Sequence, residues 1–103
     1  MEKYSRVYKQ MDYCKIRDEV ENIILLYNLR TNKVILINSI GKEIWQFLAN
    51  WRSKKDILIM LKDRFQIVSE QDCLKDIDNF ISKLESNNFI LSYNNQAVTN
   101  GRL

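Results

Sequence analysis

The hydrophobic pattern of this chain changes its period once, at Asn38, and that change limits the folds open to it. Before Asn38 the apolar residues form short β-branched runs, including Ile23–Tyr27 and Val34–Ile37, which are typical of strands. After Asn38 they recur every three or four residues, as on one face of a helix. The chain of 103 residues has no proline and only two glycines, so few residues interrupt these elements. The pattern predicts an α+β fold in a single domain.

The expected order is three antiparallel strands, three helices and a short closing strand. The strands are predicted at about residues 12–17, 20–27 and 33–38, the helices at about 39–51, 53–65 and 69–88, and the closing strand at about 89–93. Asn38 or Ser39 caps the first helix, while Ser53 with Asp56 and Ser69 with Asp72 form capping-box-like starts for the others. The predicted domain spans residues 11–93, between a flexible N-terminal arm (1–10) and a flexible tail (94–103). The apolar stripes of the three helices are Ile40, Ile44, Phe47, Leu48 and Trp51; Ile57, Leu58, Leu61 and Phe65; and Cys73, Leu74, Ile77, Phe80, Ile81 and Leu84.

The composition argues against most catalytic and metal sites. The chain has no histidine, which removes imidazole bases and the usual zinc ligand sets. Gly41 and Gly101 cannot build either of the glycine motifs that bind phosphate. Cys14 and Cys73 are 59 residues apart, outside any CxxC pattern, and are predicted to be buried thiols in a reducing compartment. We therefore predict a protein that is not an enzyme and that holds no cofactor and no metal.

No segment resembles a membrane span or a signal peptide. The longest apolar runs, Ile23–Tyr27 and Val34–Ile37, are far shorter than the roughly 20 residues that a helix needs to cross a bilayer. Residues 1–10 lack the apolar stretch of a secretory signal. The sequence therefore predicts a cytoplasmic protein with no membrane partner.

The third predicted strand, Lys33–Asn38, would be an unusual edge strand. In a meander it pairs on one side only, and its single charged residue, Lys33, lies at its end, although natural edges are usually protected by charge or proline. The second and third strands are apolar on both faces, whereas a sheet packed by one face should alternate with polar residues. Such an edge favours the addition of an extended peptide by main-chain hydrogen bonds. The alternative is that residues 89–93 or 1–10 cover the edge.

Two other functions fit the same order of elements. Three helices with a small sheet also make winged-helix DNA-binding proteins. The third helix opposes that function, because it carries five acidic against two basic residues and phosphate contacts dominate DNA affinity. The second helix, with four basic against two acidic residues, supports it weakly. A homodimer joined through the apolar sheet face also remains open, so we expect a monomer or a weak homodimer that binds no nucleic acid.

A series of core and capping positions between residues 25 and 90 carries a family resemblance. These positions are Ile37-Asn38, Gly41, Ile44-Trp45, Ser53, Ile57, Leu61, Phe65, Asp76-Ile77, Phe80, Leu84 and Asn88-Phe89-Ile90. The pattern resembles the PqqD-like family, the peptide-recognition elements of pathways that modify ribosomally made peptides. Asn88 stands where that family often has glycine, and asparagine tolerates the same left-handed cap of a helix.

The resemblance implies a fold and a role. The fold would be a winged helix-turn-helix with an N-terminal three-stranded sheet. The role would be non-catalytic: the leader segment of a precursor peptide would add as a strand beside the third strand, against the third helix. The implied partners are this leader and a modifying enzyme, which is either the leader peptidase or cyclase of a lasso-peptide pathway or a radical S-adenosylmethionine enzyme.

The predicted peptide-binding residues come from the third strand and from one flank of the third helix. Val34 and Leu36 are expected to line apolar pockets together with Phe80, Leu84 and Ile77. The polar residues of this flank would contact polar leader residues, and the opposite flank (Leu74, Asp78 and Glu85) is the alternative. The full predicted set is Lys33, Val34, Ile35, Leu36, Ile37, Asp76, Ile77, Phe80, Lys83, Leu84 and Asn87.

Overall fold

The computed structural model describes residues 6–18, 21 and 23–94. Its elements are β1 (Arg6–Gln10), β2 (Cys14–Asp18), β3 (Ile24–Asn28), β4 (Lys33–Ile37), α1 (Ser39–Phe47), β5 (Arg52–Ser53), α2 (Lys54–Arg64), α3 (Glu70–Ser86) and β6 (Ile90–Asn94). The predicted α+β class is confirmed for these residues, which form antiparallel sheets and three helices.

The described strands form two separate three-stranded sheets. The first, which we name the hairpin sheet, has the order β2-β3-β4. Its register places Ile24 opposite Ile37 and Asn28 opposite Lys33. The second, which we name the terminal sheet, has the order β5-β1-β6 and pairs β1 with β6 along their whole length.

The terminal sheet corrects the predicted strand order. Residues 6–10 were expected in a flexible arm, but they form β1, whose Tyr8 is buried in the core. Gln10 N–H also donates to Leu48 C=O at 2.9 Å. The closing strand, predicted at 89–93, lies at Ile90–Asn94 and pairs with β1. The other residues of the predicted arm and tail, 1–5 and 95–103, lie outside the described residues.

The three helices begin at the capping residues that the sequence indicates. The Asn38 side chain accepts a hydrogen bond from Gly41 N–H at 2.8 Å, and Ser53 and Asp56 form a reciprocal capping box. Ser69 caps α3 by accepting from Asp72 N–H at 3.2 Å. These bonds satisfy N–H groups that the first turn of a helix leaves without a partner. The first helix ends at Phe47, earlier than predicted.

The C-terminus of α3 ends in a left-handed cap. Asn88 has φ of 61°, as the sequence predicts for a residue at a glycine position. Phe89 N–H donates to Leu84 C=O at 2.8 Å, and Asn88 N–H donates to Glu85 C=O at 3.1 Å. This is the bonding pattern of a Schellman motif. It turns the chain sharply, so that Phe89 enters the core with no exposed surface.

One hydrophobic core joins both sheets to the three helices. Its buried residues include Tyr8 of the terminal sheet, Leu26 of the hairpin sheet and Ile81 of α3. Cys14 is buried as predicted, whereas Cys73 is only half-buried. Among the described helices, none combines the length and the apolar character that a membrane span requires.

Candidate functional site

The outer edge of β4 is open in the part of the chain that the structure describes. β4 pairs with β3 on one side, and no other described strand pairs with it. The two segments that the sequence offered as covers, β1 and β6, pair with each other in the terminal sheet. The expected edge strand is therefore present, and the described residues of the arm and the closing strand do not cover it.

The register of the hairpin sheet fixes which main-chain groups point outward. Leu29 N–H donates to Tyr13 C=O at 3.1 Å, a bond that flanks the pair Cys14–Asn28. That pair is therefore of the non-hydrogen-bonded type, because the two types alternate along an antiparallel ladder. It follows that Asn28, Leu26 and Ile24 direct their main-chain groups towards β4.

Val34 and Leu36 therefore carry the free main-chain groups of β4. The residues that face β3 with their main-chain groups are Lys33, Ile35 and Ile37, which lie opposite Asn28, Leu26 and Ile24. Their N–H and C=O groups bond to β3. The intervening N–H and C=O groups of Val34 and Leu36 point away from β3, towards the outer edge. This gives the edge two donors and two acceptors, spaced two residues apart.

The side chains of β4 alternate between two different surfaces. Ile35 and Ile37 pack against the core, on the face of the sheet that α3 covers. Val34 and Leu36 lie on the other face, where they are 43% and 63% exposed. This alternation follows from the period of two in a strand. The structure therefore does not bring Val34 and Leu36 together with the predicted residues of α3, since the two groups lie on opposite faces.

One flank of α3 borders the open edge. The ring of Phe80 lies near Ile37, since both are within 3.3 Å of the position that a Cβ on Gly41 would occupy. At the other end, the Asn28 side chain donates to Asn88 C=O at 2.9 Å. The helix therefore runs antiparallel to β4, from Ile37 towards the β3–β4 turn. We name the space between the outer edge of β4 and this flank the edge groove.

The polar residues of this flank are those that the sequence singled out. Asp76 and Lys83 are exposed, and Asn87 is half-buried; all three lie on the Phe80 side of the helix, because residues three, four and seven apart share a face. Within the described part of the chain, neither Asp76 nor Lys83 forms a salt bridge. Asn87 donates to Lys83 C=O at 2.8 Å.

The opposite flank of α3 is occupied by contacts within the protein. Asp78 forms a salt bridge with Lys54 at 2.9 Å, and Glu85 accepts from the Ser92 hydroxyl at 2.8 Å. Burial lowers the pKa of Lys54, but the bond to Asp78 and the nearby Tyr8 raise it overall. This flank therefore faces α2 and β6 rather than β4.

Two predicted apolar residues are structural. Leu84 has no exposed surface and Ile77 is 1% exposed, because both lie on the face of α3 that packs against the sheet. A ligand in the edge groove cannot touch the side chain of Leu84 without opening the core. Both residues were predicted as contact residues because they belong to the apolar stripe of α3, and the sequence alone does not show which residues of that stripe are buried in the core and which border the groove.

A cleft beside the edge groove was missed by the sequence analysis. It has a volume of about 630 Å³, and we name it the loop cleft because the α2–α3 loop forms one wall. Its walls are largely apolar, and they include Phe80 of the edge groove. The loop cleft is lined by Asn38, Ile40, Gly41, Ile44, Leu61, Phe65, Gln66, Ile67, Val68, Ser69, Asp72, Cys73, Asp76, Ile77 and Phe80. The one feature of the sequence that could have indicated this cleft is the apolar pair Ile67-Val68, because it lies in a loop and belongs to the apolar stripe of neither helix.

The thiol of Cys73 contributes to this wall as a neutral group. Burial and the nearby carboxylates of Asp76 and Glu70 raise its pKa. A thiol of this kind behaves as a small apolar side chain.

The hairpin sheet has a second unpaired edge, and its chemistry differs. β2 pairs only with β3 among the described strands, but three of its five residues are charged. Its side chains Lys15, Arg17 and Asp18 are exposed. Charged side chains along an edge are a common protection against strand addition. Of the two edges, only β4 combines free main-chain groups with an apolar surface.

The family model described as "Coenzyme PQQ synthesis protein D (PqqD)" matches residues 24–90. No curated relative matches the chain.

Two solved structures share the fold. One is titled "Lasso peptide synthetase B1 complexed with the leader peptide"; it has a TM-score of 0.65 and 18% identity, and the match covers 82% of this chain and 96% of that one. The other is titled "TbiB1 in Complex with the TbiA(beta) Leader Peptide"; it has a TM-score of 0.65 and 16% identity, and the match covers 80% of this chain and 93% of that one. The family match runs from the start of β3 to the start of β6, well over half of the sequence, and on that ground the chain belongs to the PqqD family.

Proposed function

We propose that this protein binds the leader segment of a precursor peptide as an additional strand on the outer edge of β4, and that it catalyses no reaction itself. The observation that carries the proposal is the pair of residues, Val34 and Leu36, whose main-chain groups point outward from an unprotected edge. The two similar structures, whose titles name leader-peptide complexes, support the choice of ligand.

A guest strand on this edge would present its side chains to two surfaces in turn. Alternate residues would face α3 and contact Ile35 and Phe80, which are both partly buried at the rim of the core. The residues between them would lie beside the exposed side chains of Val34 and Leu36. Main-chain bonds would supply affinity, and the two sets of side-chain contacts would supply specificity.

The loop cleft extends the edge groove beyond the end of β4. At about 630 Å³, it has room for a large side chain of the peptide, and Phe80 belongs to both surfaces. A binding site for a small ligand or side chain is commonly a mostly apolar concavity with a few polar groups. In this proposal the cleft therefore anchors one end of the leader while β4 pairs with the rest.

A protein that only binds the leader requires a separate enzyme to modify the precursor. Binding would raise the local concentration of the precursor at that enzyme, as linked binding sites do in general. A leader peptidase or cyclase of a lasso-type pathway is the first candidate, since one of the two similar structures is described as a lasso peptide synthetase B1 in complex with its leader peptide. A radical S-adenosylmethionine enzyme is the second.

Three helices with a small sheet would also suit a winged-helix DNA-binding protein, but the charges of α2 oppose that function. Three of the four basic side chains of α2 are engaged in salt bridges: Lys54 with Asp78, Lys62 with Glu70 and Arg64 with Glu43. Ion-paired side chains offer less charge to a phosphate backbone, which supplies much of the affinity for DNA. Peptide binding is therefore the function that we propose.

The decisive experiment removes a single outward main-chain donor. Leu36→Pro deletes the outward N–H of a residue that is 63% exposed, so little packing is lost, and proline is tolerated on edge strands. Leu36→Ala is the matched control, because it shortens the same side chain and keeps the N–H. The probe is a labelled synthetic leader from a short reading frame beside the gene, titrated by fluorescence anisotropy.

Loss of one main-chain bond together with the steric effect of the proline ring should weaken binding at least about tenfold. Leu36→Ala should bind within about threefold of the wild type. Ile35→Pro serves as a second comparison, because it removes a donor that already bonds to β3 and should destabilise the hairpin sheet itself. Equal affinity of Leu36→Pro and Leu36→Ala, with both chains folded, would refute strand addition.

A further inference from the structure

We propose that the edge groove selects its peptide by the order of charges along it. The end beside the β3–β4 turn takes an acidic side chain, and the end beside α1 takes a basic one. This inference rests on the proposed function, since it assumes a guest strand on β4, but it concerns which peptide is accepted rather than whether one binds.

Two lysines define the charge at the turn end of the groove. Lys33 lies at the start of β4, and by strand alternation it shares the α3-facing side with Ile35. Lys83 lies on the flank of α3 that borders this edge, one turn before Asn87. The contact between the Asn28 side chain and Asn87 C=O, together with the pairing of Asn28 with Lys33, brings the two lysines to the same end.

Neither lysine is neutralised by its surroundings. Both side chains are exposed, and neither forms a salt bridge with a residue in the ranges 6–18 and 23–94 or with residue 21. By contrast, Lys42, Lys54 and Lys62 each pair with a carboxylate. The turn end of the groove therefore presents two uncompensated positive charges.

The other end of the groove has the opposite charge. The loop cleft is lined by two charged residues, Asp72 and Asp76, and by no basic residue. Neither carboxylate forms a salt bridge with a described residue. Asp76 is also the nearest acidic residue to Phe80 on the same flank of α3.

The distances suit a short charged motif in an extended peptide. Asp76 and Lys83 are seven residues apart on one face of the helix, which corresponds to about 10 Å. On β4 the same two ends of the groove are marked by Lys33 and Ile37, which are four positions apart and lie on one face at a distance of about 13 Å in a strand. A basic and an acidic residue four positions apart therefore fit the two ends of the groove. The middle one of the three residues between them would face Ile35 and Phe80, so it should be apolar.

The test selects peptides from a random library, so it does not require the sequence of the leader. A random-peptide display library is panned against the intact wild-type chain and, separately, against Lys33→Glu/Lys83→Glu. The control Lys15→Glu/Lys75→Glu changes the net charge equally, at exposed positions on β2 and on the outward face of α3. Enriched peptides are then synthesised, and their affinities are measured for all three chains and for Leu36→Pro.

The wild type and the control should enrich peptides with one basic and one acidic residue about four positions apart. Lys33→Glu/Lys83→Glu should enrich peptides with a basic residue in place of the acidic one. It should also bind the wild-type peptides about tenfold or more weakly at low salt, since each partly exposed pair changes from attraction to repulsion. The control should change their affinity less than about twofold.

The outcomes separate the two proposals. If the enriched peptides bind Leu36→Pro weakly but show the same charges for all three chains, the charge inference is overturned and strand addition stands. If the enriched peptides bind Leu36→Pro with the same affinity as the wild type, or if no peptide is enriched, strand addition is refuted and the charge inference is refuted with it.

Discussion

Asn28 is the buried polar residue that holds the two walls of the edge groove together. Its side-chain oxygen accepts from Arg30 N–H at 2.9 Å and from Thr31 N–H at 3.1 Å, inside the β3–β4 turn. Its side-chain amide donates to Asn88 C=O at 2.9 Å, at the end of α3. The residue has no exposed surface. We therefore expect Asn28→Ala to loosen both the turn and its attachment to the helix.

The expected loss of stability can be worked out from these bonds. Each of the three short hydrogen bonds contributes about 1 kcal/mol net, and the two N–H groups lie in an exposed turn where water can replace part of the interaction. The truncation also leaves a small cavity, which adds to the cost. The free energy of unfolding should fall by about 2–3 kcal/mol. For a domain of this size, that corresponds to a decrease in Tm of roughly 10–20 °C.

Urea unfolding followed by circular dichroism measures this difference. The matched control is Asn79→Ala, an exposed asparagine on α3, where alanine should be neutral or stabilise the helix by a few tenths of a kcal/mol. A loss below about 1 kcal/mol at Asn28 would refute the argument, because it would mean that the three hydrogen bonds of this side chain together contribute no more than a single surface bond.

Two further predictions concern the cleft and the buried thiol. Gly41→Ala places a Cβ 3.2 Å from Ile37 Cβ and 3.3 Å from the tip of the Phe80 ring, so the ring must shift. We expect the affinity for the leader to fall severalfold in titrations, while the midpoint of urea unfolding changes little. Unchanged affinity would contradict the role of Phe80 as a wall of the loop cleft. Burial, followed by the Asp12 carboxylate, raises the pKa of Cys14 to about 11 from 9.0, so the folded state holds the thiol proton more tightly than the unfolded state does. The stability that this thiol contributes should be complete below pH 9 and should decline as the pH rises to 11, by at most about 2–3 kcal/mol. The difference in unfolding free energy between wild type and Cys14→Ala should therefore narrow over that range, and a constant difference would contradict it.

Local signals in the sequence were sufficient for the helices. Residue type and spacing predict Ser53 and Ser69 as caps and leave Asn38 and Ser39 as alternatives for the first helix. The side chains of Asn38, Ser53 and Ser69 accept the expected hydrogen bonds. A cap is a contact between residues three positions apart, so a short window of sequence contains both partners. The left-handed conformation of Asn88 was expected for a different reason, namely the family resemblance, in which this position is often glycine.

The terminal sheet could not be predicted in this way. β1 pairs Arg6 with Asn94 and Val7 with Tyr93, so each partner lies more than 80 residues from the other. The segment Arg6–Gln10 has few apolar residues, and a polar strand looks like a loop until its partner is known. The expectation of a flexible arm was wrong at residues 6–10 for this reason, and the same reasoning could not decide whether β6 would cover β4.

The candidate site was predictable in its backbone but not in its side chains. The lack of charge in Val34–Ile37 identified the open edge, because edge protection is a property of the strand itself. Whether Leu84 or Phe80 reaches the groove depends on the rotation of α3 against the sheet, which a stripe of apolar residues does not define. The choice between the two flanks of α3 depended on Lys54 and Ser92, which lie on other elements and bind Asp78 and Glu85.

The two sheets have different roles, which explains how an edge can stay open in a domain of this length: the terminal sheet stabilises the fold, and the hairpin sheet provides the open edge. A domain of this length has little apolar surface to spare, yet Val34 and Leu36 remain exposed. The terminal sheet ties both ends of the described chain to the core through Tyr8 and Ile90, and α3 is anchored to the hairpin by Asn28. Stability therefore depends on groups that do not face the groove. Loss of an outward main-chain donor of β4, as in Leu36→Pro, should consequently weaken peptide binding with little effect on folding, whereas substitutions at Asn28 should reduce stability.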